Sequence, residues 1–239
     1  GRDRLLPAGE WLRRAEAGAL GPEDLCLTFD DNLRCQYDVA YPVVRDHGLT
    51  AFFFIYTSPL EGKAERLEVY RYFRSTRFGQ IEDFYDGFYR ALEDAPGGKK
   101  AKAELDKADA SGYLADKPFY SLADRKFRYL RDRVLAKDGY HRVMDRMIEE
   151  NGMDTDALIQ TLWMDASCLH RLKSEGNVIG LHSHSHPTRM SALPEAEQVR
   201  EYRDNISALK GILGAPPVAV AHPCGDYDAM TLEVLKSLG

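Results

Sequence analysis

The chain has 239 residues, 44% hydrophobic and 29% charged, enough apolar material for one sizeable core. Its formal net charge of −6 leaves no basic footprint of the kind that neutralises phosphates, so nucleic acid is not an expected partner. Cys26, Cys35, Cys168 and Cys224 are scattered and form no CxxC pair. This argues against a disulfide framework and a zinc ribbon, and tilts localisation towards the reducing cytoplasm. No apolar run approaches the roughly 18 residues that span a bilayer, and the opening residues do not read as a signal peptide.

In chain order, Leu25–Phe29 is a short β-favouring apolar run after Gly21-Pro22, and it ends abruptly in Asp30-Asp31-Asn32. It predicts a buried strand with an acidic tip. Tyr37, Ala40, Tyr41 and Val44 recur at helical spacing within 32–47, and Gly48 stops that helix before the apolar run Thr50–Tyr56. Strand, helix and strand make a βαβ unit, and the fold class is α/β with a parallel sheet.

From about residue 58 to 165 the pattern becomes helical. Phe84, Phe88 and Leu92 share one helix face, Phe127, Leu130 and Val134 another, and Val143, Met144, Met147 and Ile148 a third that Gly152 ends. Within this insertion Tyr70-Arg71-Tyr72-Phe73-Arg74, with Arg77 and Phe78, interleaves aromatic and basic residues. Such a pattern can clamp a sugar or a nucleotide diphosphate, though an amphipathic helix with arginine–aromatic packing reads the same way.

The α/β pattern then resumes. A helix through Leu169, Leu172 and Lys173 leads to the strand Val178–Leu181 and its tip His182-Ser183-His184-Ser185-His186-Pro187. A helix over about 194–213 leads to the strand Val218–Ala221 and its tip His222-Pro223-Cys224-Gly225-Asp226-Tyr227, and a last helix covers 230–238.

All three polar clusters follow strands, and active sites of parallel α/β folds form beyond the strands' carboxyl ends. Adjacent strand residues face opposite ways, so Asp30 and Asp31 can serve different purposes, one as ligand and one towards substrate. The pair can equally cap the following helix. His182 and His186 are four apart, but Pro187 disfavours α conformation at His186, which points to a looped grip on a metal. Two histidines and one aspartate give three protein ligands with open positions, the pattern of a catalytic metal site. His182 and His184 also spell the HxH of amidohydrolase metal barrels, a reading in which His184 would be a ligand.

The three tips together resemble the polysaccharide deacetylase family, carbohydrate esterase family 4. Thr28-Phe29-Asp30-Asp31 is similar to its TFDD, His182–Pro187 to its H-[S/T]-x-x-H-P, and Gly48–Phe54 to its GxxATFF strand. The resemblance implies a distorted, incomplete TIM-like (β/α) barrel carrying a largely helical insertion, all within one catalytic domain. It implies that Asp30 is the general base and that Asp31, His182 and His186 bind a divalent metal, zinc first, with cobalt or nickel as alternatives. By the same resemblance Cys224 and Gly225 form the backbone oxyanion region, and Ser183 orients the histidines. The expected activity is removal of an acyl group, N-acetyl first, from an amino sugar in a glycan or glycan precursor. A silent carbohydrate-binding relative, or an amidohydrolase acting on a non-sugar amide, is the alternative. The family's acid is a histidine in a downstream L-x-H motif that does not occur up to Gly239, so the sequence is expected to be incomplete at its C-terminus. Oligomeric state is left open.

Overall fold

A computed structural model describes residues 4–108 and 110–239. The chain forms two compact units: residues up to Glu65 together with Asp156–Gly239, and the intervening Arg66–Thr155.

The first unit is built on three parallel strands, β1 (Leu27–Phe29), β2 (Ala51–Ile55) and β3 (Val178–Leu181), in the order β1-β2-β3. Leu27 pairs with Ala51, and Phe52 to Ile55 pair with Val178 to Leu181. β2 is central, and all five of its residues are buried, which explains a continuous apolar run in place of alternation. Its two faces have different covers. Phe53 and Ile55 pack with Tyr41 and Val44 of α2 (Tyr41–Asp46), Leu169 and Leu172 of α9 (Ala166–Ser174), and Leu209 of α10 (Glu195–Leu213). Phe52 and Phe54 instead meet Ala8, Trp11 and Leu12 of the N-terminal helix α1 (Ala8–Glu16), with Ala219 and Ala221. α2, α9 and α10 therefore lie on one face of the sheet and α1 on the other. Gly180 is required where it stands: a Cβ there would come within 2.5 Å of the Phe54 ring and 3.0 Å of the Ala219 carbonyl oxygen.

Three sequence expectations are modified. The strand expected at Leu25–Phe29 begins at Leu27, and Leu25 instead bridges Leu5. Leu25 and Thr28 are exposed because β1 has a full ladder partner only in β2. The continuous helix expected over 32–47 is interrupted by a π-turn at Gln36–Ala40 before α2. Pro42 lacks the N–H that a regular helix would place on residue 38, and the wider turn accommodates the loss. The strand expected at Val218–Ala221 shrinks to one parallel bridge, Leu181 with Val220. Two hydrogen bonds hold it, Leu181 N–H to Ala219 O at 2.8 Å and Ala221 N–H to Leu181 O at 3.0 Å. Pro216, Pro217 and Pro223 bracket the segment and withhold the donors a longer ladder needs.

The helices α10 and α11 (Ala229–Leu238) close this unit, and α11 starts with a capping box between Asp228 and Thr231. α8 (Thr155–Leu162) precedes Trp163, which bridges Leu33.

The second unit contains no strand among its described residues. Its helices are α3 (Arg66–Arg77), α4 (Ile81–Asp94), α5 (Gly98–Lys107), α6 (Leu122–Tyr129) and α7 (Ala136–Glu150), with a π-turn at Leu130–Val134. Phe73, Phe84, Phe88, Leu92, Phe127, Leu130 and Met144 are fully buried. The rings meet mostly edge to face, as Phe88 and Phe127 do at 4.9 Å. No helix of the described residues is long and apolar enough to cross a membrane.

Candidate metal centre

β1 ends and the chain turns at once, because Asp31 and Asn32 both take left-handed backbone, φ 77° and 56°. β3 is followed by Ser183 and His186 in the same region, φ 64° and 57°, and the bridge strand by Cys224 at φ 56°. Among the described residues only Leu114 and Ala136 are other non-glycine cases. Backbone strain thus gathers at the three tips, as it does where surrounding structure forces side chains into position.

These turns bring Asp31, His182 and His186 together. Asp31 Oδ1 lies 3.3 Å from His182 Nε2 and 3.1 Å from His186 Nε2, and one ligand atom from each residue falls within 4.8 Å of the others. The His182 side chain is buried, and its Nδ1 lies 2.8 Å from the Ala221 carbonyl oxygen. A carbonyl only accepts, so Nδ1 carries a proton and donates it; Nε2 would present its lone pair to a bound ion, and when protonated it donates to Asp31. Two imidazole nitrogens and a carboxylate at this spacing fit a zinc-type ion, whose ~2.0–2.1 Å bonds at tetrahedral angles place ligand atoms about 3.3 Å apart. Burial pushes the Asp31 carboxyl up, but hydrogen bonds and charge from His182 and His186 outweigh it and hold the group well below the usual carboxylate range. Asp30 responds in the opposite direction. Loss of surrounding water raises its carboxyl, with the Asp31 charge adding to the rise and the two histidines opposing it.

The support around this trio was not legible in the motifs. Asn205 of α10 is fully buried: its Oδ1 accepts the His182 N–H at 3.1 Å, and its Nδ2 donates to Ile55 O at 2.9 Å and Thr57 Oγ1 at 3.2 Å. Glu201, one turn earlier, accepts the N–H groups of His184 and Ser185 at 3.0 and 2.7 Å and the Ser185 hydroxyl at 2.6 Å. Ser183 is buried, and its Oγ accepts the His186 N–H at 3.1 Å. The ring of buried Tyr56 lies 5.2 Å from that of His186, and the Tyr56 hydroxyl accepts from Trp163 Nε1 at 2.5 Å. The sequence signal for the α10 pair was an i, i+4 Glu and Asn on the helix that follows the histidine tip.

His184 stands apart from the trio. Its Nδ1 is 3.0 Å from Thr57 Oγ1 and its Nε2 faces Glu61 at 3.8 Å, so the HxH pairing does not form. His222 hydrogen-bonds through Nδ1 to Tyr202 Oη at 2.7 Å and stacks on Tyr227, and burial and the His182 charge lower its pKa. At the third tip Cys224 is exposed, whereas the Gly225 N–H donates to His222 O at 2.9 Å. The tight Pro223–Gly225 turn thus uses the Gly225 amide internally. Cys26, Cys35 and Cys168 are free thiols.

Fold and site together define an α/β protein with a candidate metal centre at the carboxyl ends of its parallel strands. Residues 137–239, which contain two of the three tips, match the polysaccharide deacetylase family model, in line with the resemblance carried by the motifs. No curated protein matches the chain. Among solved structures, the deacetylase PplD of Streptococcus pyogenes, in complex with acetate, is similar at 15% identity and TM-score 0.51, over 98% of this chain and 61% of that one. The deacetylase domain of BpsB from Bordetella bronchiseptica is similar at 13% identity and TM-score 0.51, over 98% and 69%. At these identities the likeness is one of fold, and the chain spans about three fifths of the length of the first.

Proposed function

We propose that this chain is a metal-dependent hydrolase that removes an acyl group, N-acetyl first, from an amino sugar in a glycan or glycan precursor. The observation that carries the reading is the convergence of His182 Nε2 and His186 Nε2 on Asp31 Oδ1, one residue from a second aspartate. The packing of α2, α9 and α10 on one sheet face also supports the distorted, incomplete (β/α) barrel, since doubly wound sheets place helices of this kind on both.

Asp31, His182 and His186 would hold a divalent ion, zinc first, with cobalt or nickel as alternatives. Such an ion supplies Lewis acidity towards water and the amide carbonyl. Asp30 precedes the ligand Asp31 and feels the charges of His182, Asp31 and His186; as general base it would take the proton from the attacking water. Ser183 fixes the backbone of His186 through its hydroxyl, and the Ala221 carbonyl fixes the His182 tautomer. The backbone amide of Cys224 would meet the developing oxyanion, with Gly225 shaping the turn.

The test is metal content by elemental analysis of wild type, Asp31→Ala and Asp30→Asn, with acetate release from N-acetylated oligosaccharides followed in parallel. One divalent ion per chain, lost in Asp31→Ala and kept in inactive Asp30→Asn, is the expected result. Wild type without bound metal would overturn the reading, and metal without acetate release would remove the enzymatic part of it.

A further inference from the structure

The aromatic and basic run in α3 is not used by the metal centre, and its arginines line a second site. Within the Arg66–Thr155 unit, Arg71 and Arg74 of α3 and Arg128 and Arg131 of the α6 segment line one small cavity of about 80 Å³. Each pair has i, i+3 spacing, so each helical segment presents two guanidiniums along one face. Tyr70, Phe84, Phe127 and Tyr140 complete the aromatic lining, and no carboxylate is among the lining residues. The larger groove of the same unit, about 210 Å³, mixes Lys100 and Arg142 with Glu104. One sign of charge therefore distinguishes the small cavity.

The carboxylates that pair with these arginines lie outside the lining. Arg71 meets Glu68 at 2.8 Å, Arg131 meets its neighbour Asp132 at 2.5 Å, and Arg128 Nε reaches Asp124 only at 4.0 Å. Asp124 already accepts the Tyr85 hydroxyl at 2.5 Å. Arg128 Nε is buried and has no hydrogen-bond partner among the described residues, while its guanidinium stacks over Tyr120 at 4.0 Å. Arg74 lies over the Phe84 ring at 6.0 Å. The Tyr140 hydroxyl senses several of these charges: burial pushes it up to about 12, against the pull of Arg131, Arg74 and Arg128. Glu68 and Asp132 offset part of the charge of Arg71 and Arg131, and an anion inside the cavity would offset the charge that Arg74 and Arg128 add to its lining.

We infer that this cavity binds a tetrahedral oxyanion, the phosphoryl group of inorganic phosphate or of a phosphorylated sugar. A carboxylate is planar and satisfied by one guanidinium fork, whereas a phosphoryl group offers three acceptor oxygens to arginines arriving from several directions. The cavity admits that group and leaves the rest of an ester outside. The site is independent of the deacetylase reading, and its test needs no turnover.

Calorimetric titration of the full chain with inorganic phosphate, a hexose 6-phosphate and the uncharged hexose, at constant ionic strength, tests the assignment. Saturable binding of phosphate or its ester at one site per chain is expected, with no heat from the hexose. Arg74→Gln and Arg128→Gln each weaken it about tenfold, the loss of one charge-assisted hydrogen bond, and Arg77→Gln leaves it unchanged. Tighter binding of the ester assigns the site to a phosphorylated sugar, and tighter binding of phosphate assigns it to the free anion. Because the variants can lose folding, phenylglyoxal labelling of the wild type is read by peptide mass spectrometry. Phosphate should protect Arg74 and Arg128. Absence of saturable binding, or unchanged labelling of both arginines, overturns the proposal.

Discussion

The two units handle polar chemistry in different ways. In the sheet unit three ligand-type side chains converge because short strands end in strained turns, and buried Asn205, Ser183 and main-chain carbonyls hold them there. In the helical unit the basic residues are spaced along regular helices, over a core of mutually packed rings. The first arrangement concentrates function in a few consecutive residues, and the second distributes it over segments some fifty positions apart. A strand tip is therefore read as a motif, whereas a helix face becomes a site only once its partner helix is known.

The largest expected effect tests whether the ring cluster is the core of the helical unit. Phe127 is buried against Phe84, Tyr85, Phe88 and Tyr140, so Phe127→Ala should destabilise by about 3–5 kcal/mol through lost burial and the cavity left behind. Chemical denaturation followed by fluorescence measures this, and a change under about 1 kcal/mol would mean the site collapses freely. Asn205→Ala sharpens the other side of the comparison. It removes one of the two acceptors of the buried His182 N–H, which keeps Ile55 O at 3.2 Å, and the donor to Ile55 O and Thr57 Oγ1, so stability should fall by about 1–3 kcal/mol. Metal affinity should fall about 10–100-fold, as when outer partners of a metal site are lost. Unchanged affinity in a competition titration would show that the β3 tip holds its shape without α10.

Gly180→Ala probes the sheet itself. The added methyl meets the Phe54 ring and the Ala219 carbonyl, and overpacking of about 1–3 kcal/mol is expected, measured as a lowered denaturation midpoint. The smallest effect is that of Asp165, the N-cap of α9, whose carboxylate accepts from the Ser167 hydroxyl at 2.6 Å and the Cys168 N–H at 3.0 Å. Those bonds lower its pKa to about 2 from 3.8. The folded value is the lower one, so the stabilisation is fully present above pH 3.8 and is lost as pH falls through 2. Asp165→Ala should cost about 1 kcal/mol at neutral pH, and the gap between variant and wild type should close in acid; a gap independent of pH would remove the cap from the account.

What the sequence determined by itself were features encoded within a few neighbouring residues. β2 was legible because five consecutive apolar residues between turn formers bury both faces, and the acidic and histidine tips because they follow such runs directly. The apolar faces of α4 and α7 were legible for the same reason, since a helical period repeats locally. Only the tertiary structure decided the remainder. Proline placement in 216–223 left one bridge where a strand was expected, and the Gly225 amide was consumed by its own turn. α1 came to cover the Phe52 and Phe54 face. Asn205 and Glu201 became the supports of the histidine tip, because a helix face acquires meaning only through what packs against it. Pairings between residues distant in the chain depend on loop closure and on competition among all possible partners, and no local window of sequence contains that competition.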